Sequence, residues 1–213
     1  MNFSLDLIFT MFKGLKVTLE VFIFTLILSL PLGFIVSLFR TSTINFLKKF
    51  SSFYVWIMRG TPLLLQLVII FFGLPMIGIN LDRLTSVIIA FSLNYGAYFS
   101  EIFRTGIKNI DKGQFEASEV LGLSKVHTLK RIIIPQMIKN VMPAITSEVI
   151  TLIKDTALVY VVGLSELLRV GKIASNNQAS LMPLLLTGVI YLIIIGILTK
   201  VFSKVEKYFA YYS

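Results

Sequence analysis

Residues 112–135 read KGQFEASEVLGLSKVHTLKRIIIP and form the most charged stretch of a very apolar chain. The residues from 115 to 121 are good helix formers, and Gly122 stands where a helix C-terminus favours a residue that can adopt positive φ. Ser124 can cap a second helix through its hydroxyl group. Pro135 lacks a backbone N–H and marks a break in the helix. The stretch therefore predicts a helix, a tight turn and a second helix.

The spacing of residues within this stretch carries a family resemblance. Glu116-Ala117-Ser118 precede Gly122, and nine residues separate Gly122 from the run IIIP at 132–135. This pattern resembles the EAA loop of the membrane subunits of bacterial ABC importers, and it departs only in Ser118 for Ala and Ile134 for Leu. In that family the loop forms a short cytoplasmic coupling helix that docks in a groove on the ATPase subunit. The resemblance implies that these residues contact the ATPase: Glu116, Ala117, Ser118, Gly122 and Leu123.

A DNA-binding helix-turn-helix is the alternative interpretation, with Gly122 in the turn and basic residues on the second helix. Such a motif needs further helices to close its own core, so its structural context decides. Here apolar blocks long enough to cross a bilayer flank the stretch on both sides. The context argues against a nucleic-acid partner and favours the lipid bilayer.

Composition places the chain in the membrane class. Of its 213 residues 56% are apolar, and there is no cysteine, which excludes disulfides, thiolate metal sites and cysteine nucleophiles. A net charge of +9 is typical of a membrane protein with basic cytoplasmic loops. The N-terminus has neither a basic cluster nor a small-residue cleavage site, so we predict no removable signal peptide.

The apolar segments predict five transmembrane helices in a single domain, residues 1–213. Residues 1–13 are expected to form a short amphipathic lead-in at the membrane surface. The spans are predicted at 14–39, from Pro62 to 73, and at 84–103, 140–163 and 183–202. The connecting segments are a basic loop, a short hairpin, the coupling loop and a polar outer segment, at 40–59, 74–83, 104–139 and 164–182.

The distribution of basic residues predicts the orientation. If the coupling loop is cytoplasmic, the inner segments hold fourteen Lys and Arg and the outer segments hold five. This asymmetry agrees with the positive-inside rule. We therefore predict a multi-pass protein of the bacterial plasma membrane, with the N-terminus outside and the C-terminus in the cytoplasm.

Three further strings resemble the polar amino acid uptake branch of these permeases, whose members include histidine, glutamine and arginine permeases. They are RGTPLLLQL at 59–67, AYFSEIFRTGI at 97–107 and TLIKDTAL at 151–158. The last resembles the family span that borders the translocation path. The resemblance implies the all-α transmembrane fold of type I ABC importers.

Two carboxylates at membrane depth are the first candidates for substrate contact, because a charge there is costly unless it has a partner or faces water. Glu148 and Asp155 are seven residues apart, which brings them to one face of a helix about 10 Å apart along its axis. Pairing with another helix is the alternative. Their geometry favours an extended basic amino acid with a cationic group at each end. Weaker candidates are Asn94, Gln66 and Thr18, since amides and hydroxyls often merely join helices.

Catalytic motifs are missing from the sequence. It has no GxxxxGK[ST] phosphate loop, and His127 is its only histidine, so a histidine metal cluster or a Ser-His-Asp triad is excluded. We therefore expect no enzyme activity, metal or cofactor on this chain, with ATP and Mg²⁺ bound by the partner ATPase.

The sequence thus predicts the permease subunit of an ATP-driven importer for polar or basic amino acids. The resemblance implies an ATPase dimer, a second permease subunit of the same or a different kind, and an extracytoplasmic amino-acid-binding protein as partners. Two alternatives stay open: a permease of this architecture for a sugar, phosphate or metal ion, and a non-transporting membrane sensor or scaffold.

Overall fold

The computed structural model describes residues 5–209, and within that range every regular element is helical. A π-helical turn, Ile69–Gly73, lies inside the third helix, and another, Leu129–Ile133, precedes the seventh. The helices are named in chain order: α1 Leu5–Thr41, α2 Asn45–Gly60, α3 Leu63–Met76, α4 Arg83–Lys108, α5 Lys112–Val120, α6 Lys125–Thr128, α7 Ile134–Asp155, α8 Leu167–Gln178 and α9 Met182–Phe209.

Helix α1 corrects the prediction of a separate lead-in at residues 1–13. Residues 1–4 lie outside the described residues, but from Leu5 onward the chain is one helix that continues through the first span to Thr41. Leu7 and Met11 are buried against α8, so the early turns pack on protein instead of lying apart at a surface. Pro31 is accommodated within the helix.

The segment 40–59 was predicted as a loop and is instead largely helical. It contains most of α2, which is followed by a sharp bend of 104° into α3. One face of α2 buries Ser51 and Val55 against the bundle, and this packing is the reason why the segment is ordered. The second span begins at Leu63, directly after Pro62, as predicted.

Helices α1 and α4 pack closely along much of their length. Small residues allow this approach: a Cβ at Gly33 would lie 2.6 Å from Cβ of Phe99 and 3.0 Å from the carbonyl oxygen of Gly96. Large α4 side chains, among them Phe91, Tyr95 and Phe99, fill the core that α4 shares with α7. Helix α4 therefore forms the centre of the bundle.

The break predicted at Pro135 is absent. The chain remains helical from α6 into α7, and the π-helical turn widens the backbone just before the proline. Ile134 donates its N–H to the carbonyl of Leu129, five residues earlier, so the ladder continues where Pro135 has no donor. The predicted span 140–163 likewise starts earlier, and its α-helix ends at Asp155, where a 3₁₀ segment, Thr156–Val162, follows.

The outer segment folds into α8. Its N-terminal cap is Glu166, a fully buried carboxylate that accepts hydrogen bonds from the N–H groups of Leu168 and Arg169, both at 2.6 Å. The hydroxyl of Thr18 on α1 accepts the N–H of Leu167 at 3.2 Å. These bonds tie α8 to the first helix.

By length and composition, α1 and α9 can each cross a membrane, and the bent pair of α2 and α3 makes a third candidate among the described residues. Helices α4 and α7 have 26 and 22 residues, which is enough to span a bilayer. Both carry polar groups in their interior, and these groups form the site described next.

Candidate functional site

Glu148 and Asp155 lie on one uninterrupted helix, α7, so the predicted spacing of seven residues does bring them to a common face. Both side chains are partly buried. The Oδ2 atom of Asp155 accepts a hydrogen bond of 2.7 Å from the phenol of Tyr95 on α4. One carboxylate is thus anchored to α4, and the other is left for a different partner.

Gln66 and Asn94 form a buried amide clamp at the bend between α2 and α3. The Nδ2 atom of Asn94 donates to the carbonyl of Met58 and to Oε1 of Gln66, each at 3.0 Å. The Nε2 atom of Gln66 donates to the same carbonyl at 2.9 Å and to the hydroxyl of Thr61 at 2.7 Å. The clamp satisfies backbone groups that the bend leaves without helical partners. These amides fix the bend.

Arg59 lies at this bend. From the sequence it was predicted only as one of the basic residues of the loop 40–59. Its guanidinium lies 5.1 Å from the centre of the Tyr98 ring, in a cation–π contact. Its Nη1 atom is 4.0 Å from Oε2 of Glu101, and the group is within electrostatic reach of Glu148. The site therefore combines two carboxylates with one guanidinium. The signal available in the sequence was an arginine directly before the helix-breaking residues Gly60-Thr61-Pro62.

Glu101 lies near several basic side chains. It stands close to the end of α4 from which the chain continues into the coupling loop. Arg104, three residues further along α4, donates to Glu101, and Arg40 at the end of α1 donates to the same carboxylate. The latter contact joins residues 61 apart in sequence. With Arg59 nearby, one carboxylate faces three guanidiniums from α1, α2 and α4.

Thr18 makes its hydrogen bonds elsewhere. Its hydroxyl donates to the carbonyl of Gly14 and accepts from Leu167, so it joins α1 to α8. Lys154 is exposed and stands on a different face of α7 from Asp155, because adjacent residues of an α-helix are rotated by about 100°. The predicted residues thus fall into an amide pair, Gln66 with Asn94, and a carboxylate pair, Glu148 with Asp155, and Thr18 belongs to neither. Tyr95 and Arg59 are additional groups that interact with the carboxylates.

The coupling loop has the predicted helix, turn and helix. Gly122 has a φ of +67°, and the N–H groups of Gly122 and Leu123 donate to the carbonyls of Glu119 and Ser118 at 2.9 and 3.0 Å. This pair of bonds is a Schellman C-cap. The hydroxyl of Ser124 then accepts the N–H of His127 at 3.3 Å, which caps α6 as predicted.

The exposed side chains of this loop differ in part from those predicted to contact the ATPase. Glu116 and Ala117 are exposed, whereas Ser118 is buried and donates its hydroxyl to the carbonyl of Gln114. Val120 and Leu121 are the most exposed apolar residues here, at 88% and 73%. Two such side chains on a polar loop form an apolar patch, which is typical of a protein contact.

The comparison with known proteins agrees with the architecture described above. Residues 29–205 match the family of binding-protein-dependent transport system inner membrane components. The chain belongs to this family. It is therefore a multi-pass membrane protein and the permease subunit of an ABC transport system, and ATP hydrolysis belongs to the partner ATPase.

Relatives narrow the transport class. The chain is 41% identical to the arginine transport system permease protein ArtQ of Bacillus subtilis, over 92% of this chain and 90% of the relative. It is 38% identical to a putative glutamine transport system permease protein GlnP of Rickettsia conorii, over 94% and 93%. The crystal structure of an amino acid ABC transporter with histidines matches with a TM-score of 0.87 and 32% identity, over 97% of this chain and 99% of that one.

These matches confirm the predicted all-helical type I importer fold and the function as an amino acid permease subunit. They decide against the sensor and the other-solute alternatives. The family also implies an ATPase and a substrate-binding protein as partners.

Proposed function

We propose that this permease carries basic amino acids and binds them between Glu148, Asp155 and Arg59. The observation that carries the proposal is the pair of carboxylates on one face of α7, with the Arg59 guanidinium close enough to Glu148 to interact with its charge. An arginine or lysine has two cationic groups and one carboxylate. The two cationic groups match Glu148 and Asp155, and the carboxylate matches Arg59.

The charge balance supports this substrate class. A single carboxylate inside a membrane costs about 3 kcal/mol when it has no partner. Asp155 has the phenol of Tyr95 and the charge of Lys154, whereas among the described residues Arg59 is the positive charge that acts on Glu148. A basic side chain would supply the missing cation through charge-assisted hydrogen bonds. A neutral amino acid has only one cationic group, so it would leave one of the two carboxylates without a cationic partner.

Competition for uptake tests the substrate class. In vesicles that contain the whole transporter, excess lysine should block uptake of labelled arginine, and excess glutamine should block it far less. Glu148→Gln should lower arginine uptake at least tenfold, because it removes one charged contact worth about 1.5–3 kcal/mol. Competition by glutamine equal to that by lysine would contradict the proposal.

Glu119→Gln is the matched control. Glu119 is an exposed carboxylate on the coupling loop, so its neutralisation changes the net charge equally without touching the site. It should leave the selectivity among competing amino acids unchanged. Loss of selectivity in both variants would point to a general effect of charge and against the site.

The same proposal extends to the assembly. Two permease subunits, identical or different, enclose the path, the coupling loop contacts the ATPase dimer, and an extracytoplasmic binding protein delivers the amino acid. ATP and Mg²⁺ bind to the ATPase alone. Closure of the ATPase pair would move the coupling loops and rock the spans between two states. The exposed Val120 and Leu121 support a protein contact at this loop.

The orientation that we propose has the N-terminus outside and the C-terminus in the cytoplasm of the bacterial plasma membrane. Single cysteines can test it, since the native chain has none. A membrane-impermeant thiol reagent on intact cells should label the exposed positions 80 and 177, near Gly78 and Ser175, and should spare 45 and 125. Labelling at position 125 from outside would reverse the topology and contradict the coupling function.

A further inference from the structure

Helix α2 exposes an aromatic stripe that no described residue covers. Phe46, Phe50, Phe53 and Trp56 follow one another at spacings of four, three and three residues, which places them on one face of the helix. Phe46 is 75% exposed and Trp56 is 70% exposed. The rings pair along the stripe, Phe46 with Phe50 and Phe53 with Trp56.

The other side of α2 holds it in the bundle. Val55 is buried with Val36 of α1 and Ala97 of α4, and the phenol of Tyr54 donates to the carbonyl of Leu93 at 2.5 Å. The bend of 104° sets α2 nearly perpendicular to α3. The second span was predicted along α3, so a helix perpendicular to α3 runs close to the membrane plane. Its start follows Arg40, which contacts Glu101 at the end of α4 that leads to the coupling loop.

The composition of this exposed face differs from that of α9, another helix with an exposed apolar face. Helix α9 exposes aliphatic side chains along its length, among them Leu185, Leu192 and Ile197. Helix α2 exposes rings, including the only tryptophan of the chain, together with Lys48 and Lys49. Aliphatic residues suit the hydrocarbon core, whereas tryptophan and lysine suit the boundary with the headgroups. The two faces therefore lie at different depths.

We propose that α2 is an in-plane helix that selectively binds anionic phospholipids in the leaflet on the side of the coupling loop. The aromatic stripe lies among the acyl chains, and the ammonium groups of Lys48 and Lys49 extend to the phosphates. Charge complementarity selects the lipid, because residues 40–59 contain four basic residues and no acidic one. Basic residues at this depth attract anionic headgroups, and a zwitterionic lipid offers less.

Trp56 reports on the contact directly, because it is the sole tryptophan of the 213-residue sequence. The chain is placed in nanodiscs of phosphatidylcholine with increasing amounts of phosphatidylglycerol. In one series the phosphatidylglycerol carries brominated acyl chains, and in a second series the phosphatidylcholine does. Brominated phosphatidylglycerol should quench Trp56 at a lower mole fraction than brominated phosphatidylcholine. In Lys48→Gln/Lys49→Gln this preference should fall by about 30-fold, since each lysine near an anionic surface contributes about fivefold.

Lys204→Gln/Lys207→Gln is the matched control, because it removes two exposed lysines from the end of α9 and leaves α2 intact. It should retain the preference for phosphatidylglycerol. Equal quenching by the two lipids in the native chain would overturn the proposal. Failure of both lipids to quench Trp56 would also overturn it, since the stripe would then be covered by a second copy of the chain or another protein.

Discussion

Replacing Gly122 with valine will abolish transport while the subunit still inserts in the membrane. Gly122 has a φ of +67°, a conformation that costs an L-residue about 1–3 kcal/mol and a β-branched one most. Valine would therefore open the C-cap, and the bonds from Gly122 and Leu123 to α5 would be lost. The exposed patch of Val120 and Leu121 would change its position relative to α6. Uptake and ATPase activity in proteoliposomes measure the result.

The side chain itself meets no obstacle at this position, because a Cβ on Gly122 would have nothing within 4 Å. Backbone conformation alone is thus at issue, and Gly122→Asn is the matched control. Asparagine tolerates positive φ, so this variant should keep most of the transport activity. Normal uptake by the valine variant would contradict the role of this turn. Equal loss in both variants would indicate that the space is occupied by a partner, and that the conformation does not matter.

Gly33→Val will destabilise the bundle more than any other single change considered above. A Cβ at this position would lie 2.6 Å from Cβ of Phe99 and 3.0 Å from both the carbonyl oxygen of Gly96 and the N–H nitrogen of Ser100. Two of these three atoms belong to the backbone of α4, so no rotation of a side chain relieves the overlap. Overpacking of this kind typically costs about 1–3 kcal/mol, and valine adds two further methyl groups. We expect a large fall in the fraction that stays monodisperse on heating in detergent.

Gly188→Val provides the control for this experiment. Gly188 lies within α9, and a Cβ there would meet nothing within 4 Å. The same substitution in another membrane helix should therefore leave the thermal stability nearly unchanged. If both variants lost stability equally, valine in a helix would be the cause, and the close approach of α1 and α4 would not be.

Local signals in the sequence were enough to predict the coupling loop. The turn needs a residue with positive φ, and glycine supplies it at 122; the next helix needs a cap, and Ser124 supplies it. The face shared by Glu148 and Asp155 was predictable for the same reason, because the period of an α-helix fixes it. Each of these features depends on residues within seven positions of one another.

Two of the predictions that failed did so for different reasons: tertiary packing in one case, and a local change in helical hydrogen bonding in the other. The basic segment 40–59 lacks the sequence pattern of a membrane-spanning helix. Packing of Val55 and Tyr54 on α4 nevertheless stabilises a helix there. Pro135 was expected to break its helix, but the π-helical turn before it re-routes one hydrogen bond and lets the helix continue.

The sequence by itself determined the membrane class, the coupling loop and the acidic face of α7, because apolar length, turn chemistry and helical period are written in neighbouring residues. Only the tertiary structure decided that Arg59 comes within electrostatic reach of Glu148. Its position depends on the bend of 104°, and the bend is held by hydrogen bonds from Asn94 and Gln66 to the carbonyl of Met58. Asn94 lies on a different helix, 36 residues along the chain from Met58, and no local pattern encodes a contact between groups so far apart in sequence.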